Sequence, residues 1–134
     1  MRDNALGPLN HVRWSFFEPV PTSLESFLVA VDEYADSIEM PRQKELLREK
    51  TPFREVDIKY EYWTQRESGE WEAIPITVHL ENGTEPFTNG ELLWKVHTVC
   101  HPHLREQDHY YFEGFSRVGD SADGTPVFEI ILGS

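Results

Sequence analysis

His97, Cys100, His101, His103, Asp108 and His109 crowd one stretch of this sequence, and all six belong to the residue types that hold metals or move protons. His97 and His101 stand at i and i+4, so a helix presents both on one face. Two imidazoles at that spacing suit one metal ion, with His103, Asp108 or His109 supplying a further ligand. A metal-dependent enzyme is therefore one reading of the chain. No HExxH motif sets a glutamate between the histidines as a general base, and a lone cysteine excludes a zinc site built from CxxC pairs. The plainer account has His97 and His101 packed or solvated beside Trp94. Cys100 has imidazoles nearby to act as its base, but its helical phase matches Leu93 and Val96 and turns it inward as a small buried hydrophobe.

The second chemistry is that of carboxylates. The chain carries 24 acidic and 12 basic residues, a formal net charge of −12. Residues 1–54 hold 9 acids and 7 bases; residues 55–134 hold 15 and 5. A field of that sign attracts basic proteins and repels nucleic acid and anionic membranes. Within the acidic part, Arg54 to Trp63 alternates: Val56, Ile58, Tyr60 and Tyr62 face one way, Glu55, Asp57, Lys59 and Glu61 the other. That pattern predicts a half-buried strand with an acidic solvent face. Glu113 and Glu129 extend the face on later strands, and Tyr111 and Phe115, in phase with Glu113, are its expected aromatic anchors.

The elements that position these residues follow from caps and breakers. Pro8, Pro19 and Pro21 forbid a continuous helix in residues 1–21, whose Trp14, Phe16 and Phe17 predict an arm packed on the domain. Thr22 with Glu25 reads as a capping box, and Leu24, Phe27, Leu28, Val31, Tyr34, Ala35 and Ile38 continue it as an amphipathic helix over 23–39. A weaker helix is expected at 41–50, with Pro41 as its first residue. After the alternating strand, a return strand over 71–80 buries Ile74, Ile76, Val78 and Leu80; Pro75 restricts it to an edge or a bulge. Thr88 and Glu91 form a second capping box, and Pro102 ends that helix. Residues 109–118 and 126–132 predict a second hairpin across a loop that holds Asp120 and Asp123. The loop lacks the ligand order of an EF-hand and reads as turn chemistry.

The order is α-β-β-α-β-β, which predicts an α+β fold with a largely antiparallel sheet from two hairpins and helices packed on one face. At 134 residues the expectation is one domain spanning 1–134, with 1–21 as its arm. No apolar run nears the roughly 20 residues that span a bilayer, and the first residues lack the apolar core of a signal peptide. A single cysteine allows no internal disulfide. The expected location is the cytoplasm. No glycine-rich phosphate loop is present, and the basic stretch 42–50 is interleaved with Glu45 and Glu49, so neither a nucleotide cofactor nor nucleic acid is an expected partner.

The residues therefore favour a small acidic binding or inhibitory module over an enzyme, with no cofactor. Immunity proteins and nucleic-acid mimics work on this logic, placing carboxylates where a basic target expects phosphates. The predicted contact residues are Glu55, Asp57, Glu61, Tyr111, Glu113, Phe115 and Glu129. A homodimer is a third reading, paired through the edge near Pro75 or through the apolar run Val127 to Leu132.

Overall fold

Cap and breaker chemistry divides the chain. The computed structural model describes residues 6–107 and 110–133. A 3-10 turn at Gly7–His11 leads into β1 (Trp14–Ser15), α1 (Leu24–Ser37), α2 (Lys44–Arg48), β2 (Glu55–Gln65), β3 (Trp71–Glu81), α3 (Asn89–Leu104), β4 (Tyr111–Asp120) and β5 (Pro126–Gly133). Thr88 Oγ1 accepts from the Glu91 N–H at 3.0 Å, and the Glu91 carboxylate accepts from the Thr88 N–H at 2.8 Å, so the reciprocal box starts α3 as expected.

Other boundaries move. Ser23, not Thr22, caps α1, its hydroxyl accepting from the Ser26 N–H at 3.1 Å. At the far end Glu39 enters the left-handed region at φ 57°, and the Met40 N–H reaches Ala35 O at 2.9 Å. That Schellman turn closes α1 without a glycine. The helix expected over 41–50 shrinks to Lys44–Arg48, because Arg42 is drawn back to Asp36, with Nε 3.0 Å from Oδ1. Pro102 lies inside the last turn of α3 rather than ending it; it forfeits one helical bond, and the Arg105 N–H closes the turn on His101 O at 3.1 Å.

The strands form one sheet in the order β1-β4-β5-β2-β3. β2 and β3 pair antiparallel from Glu55↔Glu81 to Gln65↔Trp71, and β4 pairs antiparallel with β5 and with β1. β2 and β5 run parallel, over Asp57↔Val127 to Lys59↔Glu129 only. The expectation of a largely antiparallel sheet thus gives way to a mixed one. The reason is α3: a single helical crossing returns the chain to the end where β3 began, so β4 starts out parallel to β3 and β5 ends parallel to β2. Pro75 does lie on an edge strand.

One sheet face is the core. Val56, Ile58, Tyr60, Leu80, Phe112, Phe115, Phe128 and Ile130 pack there with Phe27 and Val31 of α1 and Leu92, Val96 and Cys100 of α3. β5 is central in the sheet yet buried on one side alone, with Glu129 and Ile131 facing out. Gly90 allows α3 to start against its neighbours, since a Cβ there would meet Leu28 Cδ2 at 2.8 Å and the Leu47 carbonyl at 3.0 Å. Among the described residues no helix is long and apolar enough to cross a membrane.

Candidate functional site

The histidine stretch resolves into separate contacts. Trp94, His97 and His101 lie on one face of α3 and each donates to a carbonyl of the N-terminal segment. Trp94 Nε1 reaches Pro21 O at 3.1 Å, His97 Nε2 reaches Pro19 O at 3.3 Å, and His101 Nδ1 reaches Phe16 O at 2.8 Å. A proline-rich segment has few N–H groups with which to build a ladder, so its carbonyls take side-chain donors instead. His97 is fully buried, and its Nδ1 accepts from Trp14 Nε1 at 3.2 Å. An indole nitrogen only donates, which fixes His97 as the neutral Nε2–H tautomer. Burial, more than any neighbour, lowers its pKa to about 4. Both its nitrogens are therefore engaged within the protein.

His103 points elsewhere. Its ring stacks on Tyr62 with centroids 4.3 Å apart, and its Nδ1 lies 2.7 Å from the Tyr60 hydroxyl. Asp108 and His109 lie outside the described residues. Cys100 is fully buried, and burial pushes its thiol well above the ordinary range. In the β4–β5 loop, Asp123 holds the Ser121 hydroxyl and the Thr125 N–H, and Asp120 pairs with Arg117 at 2.9 Å.

The carboxylates do share a surface. The sheet face opposite the helices carries Glu55, Asp57, Lys59, Glu61 and Trp63 of β2. Opposite them on β3 stand Glu81, His79, Thr77, Pro75 and Ala73. Glu129 extends the Lys59 row on β5. Glu113 joins from β4, its carboxylate lying over Gly133, where a Cβ would meet it at 2.6 Å. Tyr111 pairs with Gly133 on the same side and is 37% exposed. The stretch from Glu55 to Glu61 covers roughly 20 Å at strand rise.

Phe115 is the exception. Strict alternation from Tyr111 and Glu113 predicts an outward ring, but Phe115 is fully buried between Phe112 and Phe128. The register shifts between Phe112 and Gly114, and this bulge reverses the phase of β4 from Phe115 to Arg117, before a second shift between Arg117 and Gly119. Gly114 permits the bulge: its φ is 131°, and a Cβ would run into Asn10, whose Oδ1 accepts from the Phe115 N–H at 3.0 Å.

His79 is the group at the acidic end that sequence reasoning passed over. Its Nδ1 is 2.6 Å from Asp57 Oδ1, and its Nε2 is 3.1 Å from Glu81 Oε1 and 3.4 Å from Glu55 Oε2. The hydrogen bond to Asp57 is the main cause that raises its pKa above the ordinary imidazole value. Glu55, His79 and Glu81 are also the residues, among those described, whose ligand-type atoms converge within 4.8 Å as a divalent cation requires.

At the other end of the face the sheet forks. β2 and β5 separate beyond Lys59↔Glu129, and a cleft of about 900 Å³ opens between them. Glu61, Trp63 and Trp71 line one side, Glu129, Ile130 and Leu132 the other, with Glu106 and Gln107 above. The Gln107 carboxamide closes the top of the fork as a strand would: Oε1 accepts from the Trp63 N–H at 2.7 Å and Nε2 donates to the Trp63 carbonyl at 3.0 Å. Trp63 and Trp71 are 48% and 63% exposed.

No protein family, curated protein or solved structure matches this chain. The site must be read from its own chemistry. Glu61 and Glu129 were visible in the strand pattern; Trp63 is in phase with Glu61, and an indole at a solvent-side strand position was the signal available for it.

Proposed function

We propose that this chain is a binding module that engages a basic protein through the open sheet face, and that it acts by occupying that partner rather than by catalysing a reaction. The observation that carries this reading is the composition of the face: Glu55, Asp57, Glu61, Glu81, Glu113 and Glu129 share it with Lys59 and His79 and with exposed Trp63, Trp71 and Tyr111. Carboxylates in that density raise the encounter rate of a cationic surface, while rings supply the buried anchors that hold it. An inhibitor of the immunity-protein or nucleic-acid-mimic type uses both. A cytoplasmic setting fits this role.

The test begins with capture from a native-host lysate at low salt, elution along a salt gradient, and identification of the retained protein. The purified partner is then measured against the wild type and against Glu55→Lys combined with Glu113→Lys. The double reversal is expected to slow association at least tenfold at low salt, with the urea midpoint unchanged, since both side chains are exposed. Retention of no basic protein, or a partner whose association rate ignores the reversal, refutes the reading.

A further inference from the structure

The forked end of the sheet has chemistry that a uniformly acidic face does not. The β2–β5 ladder stops at Lys59↔Glu129. Along β2 the backbone groups of alternate residues share an edge. Trp63 turns its N–H and C=O away from β3 to Gln107, so those of Glu61 turn the same way, into the opening. Across the gap, β5 presents the edge that includes Leu132. Two strand edges that diverge, with an apolar floor at Ile130 and Leu132, are a receptor for extended backbone.

The side chains around the opening specify the charge of what enters. Glu61, Glu106 and Glu129 line the cleft, against Lys59 as the opposing charge. Trp63 pairs with Ala73 and Trp71 stands two residues further along β3, so the indoles are diagonal neighbours on one face. Among the described residues neither ring is stacked on another aromatic ring or covered by a cation. Indoles beside carboxylates suit a large organic cation, attracted to the ring face and to the negative charge together. Around His79, by contrast, Asp57, Glu55 and Glu81 already share an imidazole.

Resting on the proposed function, we propose that the cleft receives an extended segment of the basic partner, with one lysine or arginine against Trp63 and Trp71 and its charge toward Glu61, Glu106 and Glu129. The volume of about 900 Å³ accommodates a few residues of such a segment. Backbone pairing to β2 supplies affinity, and the cation selects the register.

A phage-displayed nonapeptide library panned on the whole protein at low salt tests this. The expected result is enrichment of lysine or arginine at one position. The synthetic peptide then binds at least tenfold more weakly to Trp63→Ala and to Glu61→Gln with Glu129→Gln. Replacing its arginine by citrulline, or its lysine by norleucine, loses as much. Trp71→Ala, at an exposed edge position, serves where Trp63→Ala disturbs folding. No enrichment, enrichment without a cation, or peptides indifferent to both tryptophan substitutions overturns the proposal. So does light scattering that shows a dimer dissolved by Trp63→Ala, which makes a second copy the occupant. A lysate-captured partner that responds to the Glu55 and Glu113 reversals but binds both tryptophan variants as the wild type removes the cleft and leaves the acidic-face reading standing.

Discussion

Acidifying this protein from pH 7 to pH 5 is expected to remove about 2 kcal/mol of stability through His97 alone. The buried imidazole has a folded pKa near 4 against an ordinary 6.5. Between these values the unfolded chain binds a proton that the folded chain refuses, so stability falls as pH drops below 6.5 and the loss levels off below 4. Linkage over that window makes the cost roughly 0.2 kcal/mol at pH 7 and about 2 kcal/mol at pH 5, approaching about 3 kcal/mol at full protonation. The clearest assay is urea unfolding at pH 7, 6 and 5 for the wild type and His97→Gln. Glutamine retains an acceptor for Trp14 and a donor for Pro19 O but does not titrate. Leucine leaves both partners unpaired and adds a pH-independent loss of about 1–3 kcal/mol. The wild type should lose about 2 kcal/mol more than His97→Gln between pH 7 and pH 5. Hydrogen exchange at Phe16, whose N–H bonds Tyr110 O at 2.8 Å, should quicken in step as the N-terminal segment loosens. Equal pH dependence in the two chains refutes the assignment of His97 as a neutral, doubly bonded clasp.

Three further outcomes follow from the same geometry. In an NMR titration of the histidine rings His79 should titrate above 6.5 and His97 below it; the support His79 gives is full below 6.5 and fades as pH rises through its folded pKa, opposite in sign to His97. Gln107→Ala removes both bonds to Trp63, and hydrogen exchange there should accelerate by roughly fivefold, matching a net loss of about 1 kcal/mol, while β3 amides remain protected. Gly114→Ala should lower stability by about 1–3 kcal/mol or more in urea, because its φ of 131° is strained for any Cβ and Asn10 fills the space; an unchanged midpoint counts against the bulge as the device that buries Phe115.

What was legible in the chain was local. Period-two alternation from Glu55 to Tyr62 reports which side of β2 is wet, because each side chain needs only its own strand to choose a face. The Thr88–Glu91 box likewise closes within one turn. The parallel pairing of β2 with β5 is set by the path of α3 and has no local mark. The inward turn of Phe115 depends on one extra residue in β4, so a pattern rule that counts by twos is wrong from there until the second shift between Arg117 and Gly119. The histidines are the reverse case. Their i, i+4 spacing was informative about a shared helix face, but the face had a different customer: the carbonyls of a proline-rich segment far away in sequence.

The same distinction bears on function. Charge counting along the chain makes the acidic face one uniform surface, whereas the fold divides it into two chemically different ends. Near Glu55 the carboxylates converge on His79, so on the proposed reading a partner meeting that end competes with an imidazole already bonded to them. Near Glu61 the sheet has parted, the carboxylates stand on separate elements, and two indoles replace the imidazole. Long-range attraction depends on the whole face, because screening at physiological salt still leaves roughly 8 Å of reach. On the proposed reading, specific retention belongs to the fork, where a cation would find ring faces and backbone edges as well as charge. Steering and holding are therefore expected to separate in mutants: reversals at Glu55 and Glu113 alter the association rate and its salt dependence, while Trp63→Ala and Trp71→Ala act on the dissociation rate.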